Sequence, residues 1–293
     1  MPTQEKWMKR RAGILLPVSS LPSKYGIGSL GKAARDWVDF LARAKQGFWQ
    51  VLPMGPTGFG NSPYQSFSAF AGEPIYIDLD LLVEDGLING KKLKKSGWGE
   101  DPGRVDYDAV RKAREPLLRK AFDNFKKDKA LSRFRNQNAA WIEDYALFMA
   151  LKSAHEGRPW YQWEEDIRLR KPAAMKRAKK ELEGEISYHV FTQYLFFGQG
   201  EKLKKYANKK GVSIIGDTPI YVSGDSSDVW ANPGQFQLDA DNNPTVVAGC
   251  PPDAFSEDGQ LWGNPIYRWD LMKKEGYSGW IECIKAKLSM FDV

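Results

Sequence analysis

Two short apolar runs with a helical stretch between them constrain this chain more than any other feature. "AGILLPV" (Ala12–Val18) and "FWQVLP" (Phe48–Pro53) each have the length and the bounding turn residues of a buried strand. Between them, "SLGKAARDWVDFLARAKQG" places Trp37, Phe40, Leu41 and Ala44 at three- and four-residue steps, with Ser29 as the expected N-cap and Gly47 as the expected stop. A strand, a helix and a second strand imply a parallel pair, because a crossover long enough to hold a helix returns the chain to the same end of the sheet. "PIYIDLDLL" (Pro74–Leu82) reads as a short third strand.

From about Lys91 to Lys210 the period changes. Apolar residues recur at helical spacing in "AVRKAREPLLRKAFDNF", "WIEDYALFMALKSA" and "EISYHVFTQYLFF", an all-helical block. It closes on the basic turn "EKLKKYANKKG", stopped by Gly211, and feeds directly into the β-branched run "VSIIGD". Strand and helix alternation therefore resumes after a long helical insertion, as in an α/β barrel or a doubly wound sheet. The chain divides at residues 1–90, 91–210 and 211–293.

At 293 residues and 42% hydrophobic, the chain can bury a sizeable core. It has no run of about 18 apolar residues, and "AGILLPV" is too short and too interrupted by Pro17 to be a signal peptide. Cys250, Cys283, His155 and His189 are too few and too scattered for a disulfide framework or a metal site. A cytoplasmic protein without metal is expected. The net charge of +6 is concentrated between Arg168 and Lys210, where twelve Lys/Arg face four Asp/Glu. These residues sit beside apolar stripes and match no nucleic-acid motif, so they read as solvated helix faces, with neither nucleic acid nor membrane as partner.

Two motifs fail on context. "GIGSLG" (Gly26–Gly31) matches a dinucleotide fingerprint, but Pro22 and its neighbours separate it from the strand, and "FWQVLPMG" ends without the acidic residue a ribose needs. "DADNN" (Asp239–Asn243) imitates a calcium loop, yet Pro244 stands where glycine is required and Cys250 where a bidentate Glu should be; a polar turn is expected.

Three loops after strands combine stiffening Gly and Pro with polar and aromatic side chains. "GPTGFGNSPYQSFSAF" carries Ser62, Tyr64 and Gln65, "GDTPIYVSGDSSDVWANP" carries Asp217, Tyr221, Asp225 and Trp230, and "CPPDAFSEDGQLWGNPIYRW" carries Trp262, Asn264 and Tyr267. A pyranose offers a CH-rich face to an aromatic ring and a rim of hydroxyls to carboxylates and amides, so this mixture suits sugar recognition. Barrel enzymes place their sites on such loops.

At these loops the strings become specific. "GILLPVSSLPSKYGIGSLG", "FWQVLPMGPTGFGNSPYQSFSAFAGEP", "IIGDTPIYVSGDSSDVWANP" and "GCPPDAFSEDGQLWGNPIYRW" closely resemble the 4-α-glucanotransferases called amylomaltases or disproportionating enzymes, glycoside hydrolase family 77. The resemblance covers roughly residues 11–88 and 211–280. It implies a (β/α)8 TIM barrel, present here as its N-terminal portion with an inserted all-helical subdomain. It implies no cofactor. The activity implied is transfer of part of an α-1,4-glucan donor to the 4-hydroxyl of an acceptor sugar by a retaining double displacement.

By the same resemblance, Tyr64 stacks on the donor sugar, with Ser62 beside it, and Asp217 binds hydroxyls of the same subsite without attacking. The loop Pro251–Pro265, with Trp262 and Asn264, folds over the glucan; Ala254 stands where many relatives have tyrosine. "FDV" (Phe291–Val293) is expected to begin the strand that leads to the nucleophilic Asp, so nucleophile and acid/base would both lie beyond Val293. A front part of a barrel has unpaired edges, and alone it is expected to be unstable and inactive. The alternatives are a non-catalytic glucan-binding fragment and a self-sufficient hydrolase using Asp217 with Asp225 or Asp253.

Overall fold

The computed structural model describes residues 10–93, 97–101, 103–126 and 128–293. At its centre is a parallel three-stranded sheet in the order β1 (Gly13–Leu15), β2 (Phe48–Gln50), β3 (Ser213–Ile215). Gly13 lies opposite Phe48, and Trp49 opposite Ile214. Trp49 is completely buried, and its indole Nε1 donates to the Leu16 carbonyl at 2.8 Å, so one side chain fills the core and pins the neighbouring strand.

Helix α1 (Lys32–Arg43) joins β1 to β2, with details that depart from the sequence pattern. Its buried face is Ala34, Val38 and Leu41, whereas Trp37 and Phe40 stack on each other at 5.3 Å with Phe40 exposed, and Ala44 is exposed as well. Small and branched residues let the helix backbone approach the sheet and its neighbour more closely than two large rings would. Ser29 does not cap it. The N-cap is Gly31, and the Ser29 hydroxyl donates to Asp78 Oδ2 at 2.7 Å instead. The stop is Lys45 in the left-handed region (φ 56°), with Gln46 N donating back to Leu41 O at 2.9 Å, and not Gly47.

The β2–β3 crossover holds eight helices among the described residues: α2 (Leu79–Glu84), α3 (Gly90–Leu93), α4 (Tyr107–Asn124), α5 (Lys129–Gln137), α6 (Ile142–Ala154), α7 (Glu165–Arg168), α8 (Pro172–Glu181) and α9 (Glu183–Lys209). The expected third strand is not one: Pro74–Tyr76 forms a 3-10 turn and α2 follows. Asp78 decides it, since its carboxylate accepts from Leu81 N at 3.0 Å as an N-cap, which places Leu79 and Leu82 together on the buried side. The 27 residues of α9 form a spine that touches α4, α5, α6 and α8 along one flank and α1 and β3 along the other. Gly211 (φ +81°) ends it, with Val212 N donating to Ala207 O at 3.0 Å.

After β3 come α10 (Ser227–Ala231), an antiparallel hairpin of β4 (Val247–Cys250) and β5 (Gln260–Pro265), α11 (Trp269–Lys274) and α12 (Ser278–Met290). Asp292 N donates to Ile214 O at 2.9 Å and Gly216 N to Val293 O at 2.8 Å, so Asp292 and Val293 run beside β3. The described residues thus form an α/β fold built on a parallel sheet. No described helix is long and apolar enough to cross a membrane.

The glycines of "GIGSLG" have a packing role. A Cβ on Gly28 would lie 1.9 Å from the Val18 carbonyl oxygen, and one on Gly31 at 1.9 Å from Asp78 Oδ2. "DADNN" is a polar turn in which Asp239 Oδ1 accepts from Asp241 N and Asn243 N, both at 2.9 Å.

His189, inside α9, is buried, and burial, reinforced by the nearby Arg119 guanidinium, pushes its pKa down to about 4. Because the folded state favours the neutral ring, this group's stabilising contribution is complete above its ordinary pKa of 6.5 and is lost as pH falls through about 4. Between these limits, unfolding free energy measured by urea denaturation should fall more steeply with acidification in the natural protein than in His189→Gln. Parallel curves for the two would show that His189 is not held neutral.

Candidate functional site

The loop after β2 is closed by its own backbone. Phe67 N donates to Pro56 O at 2.9 Å, Gly58 N to Gln65 O at 3.3 Å and Gln65 N to Ser62 O at 3.0 Å. Ser66, buried at its neck, shares its one hydroxyl proton between Pro56 O at 3.0 Å and Ser68 O at 2.8 Å. At the tip, the Ser62 hydroxyl accepts from Tyr64 N at 3.4 Å, so Ser62 shapes the turn that presents Tyr64. Tyr64 is 45% exposed, unusual for a ring held in a tight loop.

Asp217 follows β3 by two residues, and its Oδ2 accepts the Tyr64 hydroxyl at 2.8 Å. That bond, with some burial, raises the Tyr64 phenol above its ordinary pKa, keeping it a donor. The ends of two neighbouring parallel strands thus deliver an exposed aromatic ring and a carboxylate to one place. Cleft loops at this end of a parallel sheet are where α/β folds bind ligands.

The segment expected to be a flexible loop is largely the β4–β5 hairpin. Trp262 and Asn264 are on β5, while Phe255 at the turn is 95% exposed. Asn264 is buried and donates Nδ2 to Val222 O at 2.8 Å. Its amide also forms a reciprocal pair with Gln65: Gln65 Nε2 donates to Asn264 Oδ1 at 3.0 Å, and Asn264 Nδ2 to Gln65 Oε1 at 3.4 Å. Gln65 Nε2 further reaches Trp262 O at 3.3 Å. Trp262 is 44% exposed, with its indole donating to Gln260 Oε1 at 3.0 Å. The hairpin is therefore latched to the Tyr64 loop and to the loop after β3.

Tyr64, Ser62, Asp217, Trp262 and Asn264 thus belong to one linked set of loops, while other flagged residues have structural work. Trp230 is buried, donating Nε1 to Ile167 O at 3.2 Å, and Tyr267 is buried between Tyr221 and Phe236. Asp225 is bound by Lys152 Nζ at 2.6 Å and by Trp160 N at 3.2 Å. Asp253 accepts from Phe255 N and Ser256 N in the hairpin turn. Neither carboxylate stands free beside Asp217.

Sequence reasoning counted Gln65 among the polar side chains suited to a sugar, did not foresee its pairing with Asn264, and overlooked the anchors supplied by the helical block. Arg111 on α4 donates to Thr57 Oγ1 at 2.6 Å and pairs with buried Glu73 at 3.2 Å. Lys152 on α6 holds Asp225. Each fixes the root of one site loop, through a partner far away in sequence that carries no local signal.

Comparisons with known proteins place the chain in a family. The family model for 4-alpha-glucanotransferase matches residues 16–293. The 4-alpha-glucanotransferase of Thermus thermophilus is 50% identical over 290 residues, covering 97% of this chain and 57% of that protein. The enzyme of Streptococcus pneumoniae serotype 4 is 48% identical over 289 residues, again covering 97% and 57%. The chain therefore spans a little over half the length of these relatives. Among solved structures, the amylomaltase from Streptococcus agalactiae in complex with acarbose superposes with a TM-score of 0.93 at 45% identity, over 97% of this chain and 58% of that one. The amylomaltase from Corynebacterium glutamicum, at 18% identity and a TM-score of 0.74, shares the fold. With nearly its whole length matched by the family model, the chain belongs to the 4-alpha-glucanotransferases of glycoside hydrolase family 77.

Proposed function

We propose that the complete protein transfers a segment of an α-1,4-glucan to the 4-hydroxyl of an acceptor sugar by a retaining double displacement. In this reading β1, β2 and β3 are the first strands of a (β/α)8 barrel, residues 91–210 are a helical insertion, and the present chain supplies the donor-binding loops. The observation that carries it is the Tyr64–Asp217 pair, an exposed ring hydrogen-bonded to a carboxylate at 2.8 Å beyond two adjacent parallel strands. A sugar lying on the ring buries its CH face there, while Asp217 Oδ1, which accepts no hydrogen bond from the described residues, can meet its hydroxyls. The nucleophile and the acid/base are assigned to the part of the relatives' length that this chain does not span.

The test is product analysis of the complete protein on maltotriose. Glucose together with maltopentaose and longer glucans is the expected outcome; hydrolysis alone, or no reaction, would refute transfer.

Latching of the hairpin gives a second expectation. Gln65→Leu removes the amide pair with Asn264 and the contact with Trp262 O, each worth about 0.5–1.5 kcal/mol. The donor KM should rise several-fold with a smaller change in kcat, because the hairpin covers the sugar without touching the bond that breaks. An unaltered KM would mean that the hairpin closes without this latch.

A further inference from the structure

Among α6, α10, α11 and α12 lies a cavity of about 260 Å³ that has none of Tyr64, Asp217, Trp262 and Asn264 in its walls. Those walls carry the rings of Phe70, Trp141, Phe236, Tyr267 and Trp280, and no Lys or Arg. Of the acidic residues lining it, Asp144 pairs with Arg170 at 2.5 Å and Glu282 with Lys285 at 2.7 Å. Asp228 is different. Its Oδ2 accepts from Ala69 N at 3.0 Å and from Ser227 Oγ at 3.4 Å, whereas its Oδ1 accepts nothing from the described residues and is not sealed in by them.

The same holds for the hydroxyl of Tyr267, on a residue only 7% exposed, and for the side-chain amide of Gln235: both line the cavity, unpaired among the described residues and still open to contact. The Asn232 side-chain amide, at the exposed rim, is unpaired as well. Burial pushes the Asp228 carboxyl up to about 6, and the Lys287 ammonium on α12 opposes that rise, so its charge is already partly offset. What Oδ1 lacks is a hydrogen-bond donor, not a cation. Walls with a free carboxylate oxygen, amides that both give and take, and no cationic side chain disfavour phosphates and carboxylates; with rings beside them they match a neutral polyol that has a CH-rich face. A volume just under the range of drug-sized ligands admits a single ring.

We propose that this cavity holds one pyranose, a glucose unit that is free or ends a glucan, with its hydroxyls on Asp228 Oδ1, the Tyr267 hydroxyl and the amides of Asn232 and Gln235. It is a binding site apart from the Tyr64–Asp217 pair, and it anchors the sugar without acting on it. The site follows from its own walls; only the choice of glucose among pyranoses rests on the transferase reading.

The experiment is calorimetric titration of the complete protein with glucose, methyl α-glucoside and sorbitol, joined to crystals of the complete protein soaked in glucose. Density for one glucose in the cavity and a saturable heat are expected. Tyr267→Phe and Asn232→Ala delete polar groups that have no partner among the described residues, so both variants should fold as the natural protein does. Combined, they should weaken glucose binding in the cavity about tenfold or more and leave kcat and KM for maltotriose unchanged. Asp228→Asn, which still accepts from Ala69 N but turns the free oxygen into a donor, should weaken it too. Methyl α-glucoside has its C1 blocked as in a chain: affinity equal to that of glucose identifies a glucan end as the ligand, and loss on methylation identifies the free sugar. An empty cavity, a cavity filled by other parts of the protein, or sorbitol binding as tightly as glucose overturns the proposal. So does density without any loss of affinity in the variants, which is binding at crystal concentration only. Glucose binding is read with no donor present, so this inference and the transferase reading fail separately.

Discussion

Replacing Tyr64 by alanine in the complete protein is expected to lower kcat/KM for maltooligosaccharide disproportionation by roughly 5- to 150-fold, or about 1–3 kcal/mol of transition-state binding. The ring is 45% exposed at a loop tip whose closing hydrogen bonds are made by Pro56, Gly58, Ser62 and Phe67, so its removal leaves the loop's own scaffold in place. Folding stability should accordingly change by less than about 0.5 kcal/mol. Tyr64→Phe separates the two functions of the side chain. It keeps the stacking face and deletes the hydroxyl that donates to Asp217 Oδ2 at 2.8 Å, so its loss should be the smaller. Wild-type kinetics in Tyr64→Ala would remove the ring from the donor site, and a loss in Tyr64→Phe equal to that in the alanine variant would transfer its role to the hydroxyl.

What could be read in advance follows the range of the forces involved. The β1–α1–β2 unit is written in local periods and was legible, whereas the rotation of α1 was not. Trp37 with Phe40 and Ala34 with Val38 and Leu41 are both apolar stripes, and only the sheet and α9 decide which lies inward. "PIYIDLDLL" satisfies a two-residue and a three-residue period at once; the choice fell to Asp78, whose cap outweighs the alternation. At the site, Tyr64 and Asp217 stood out because their loops carry long specific strings. The Gln65–Asn264 latch and the Lys152–Asp225 tie bridge sequence separations of 199 and 73, and a polar pair at such distance leaves no trace in either neighbourhood.

The largest stability effect is expected at Gln193, through the way α9 holds the segment that follows the Tyr64 loop. Gln193, Phe196 and Gln199 recur at three-residue steps on one face of the helix. Gly72 N donates to Gln193 Oε1 and Gln193 Nε2 donates to Gly72 O, both at 2.8 Å, so the amide completes a backbone that has no strand beside it. Gln199 repeats the arrangement on Asp78, at 2.7 and 3.2 Å, and the Phe196 ring lies where a Cβ on Gly72 would be, 2.0 Å away. Gln193→Leu preserves volume but leaves a buried N–H and a buried C=O unsatisfied, each costing about 1–3 kcal/mol, for a total of about 2–6 kcal/mol. The midpoint of urea denaturation should drop accordingly with an unchanged slope. Because residues 72–78 connect the site loop to α2, the same variant should also make the chain between Gly55 and Gly72 more open to limited proteolysis under native conditions. A loss below about 0.5 kcal/mol, with unaltered proteolysis, would mean that Phe196 and its apolar neighbours hold this segment without the amide.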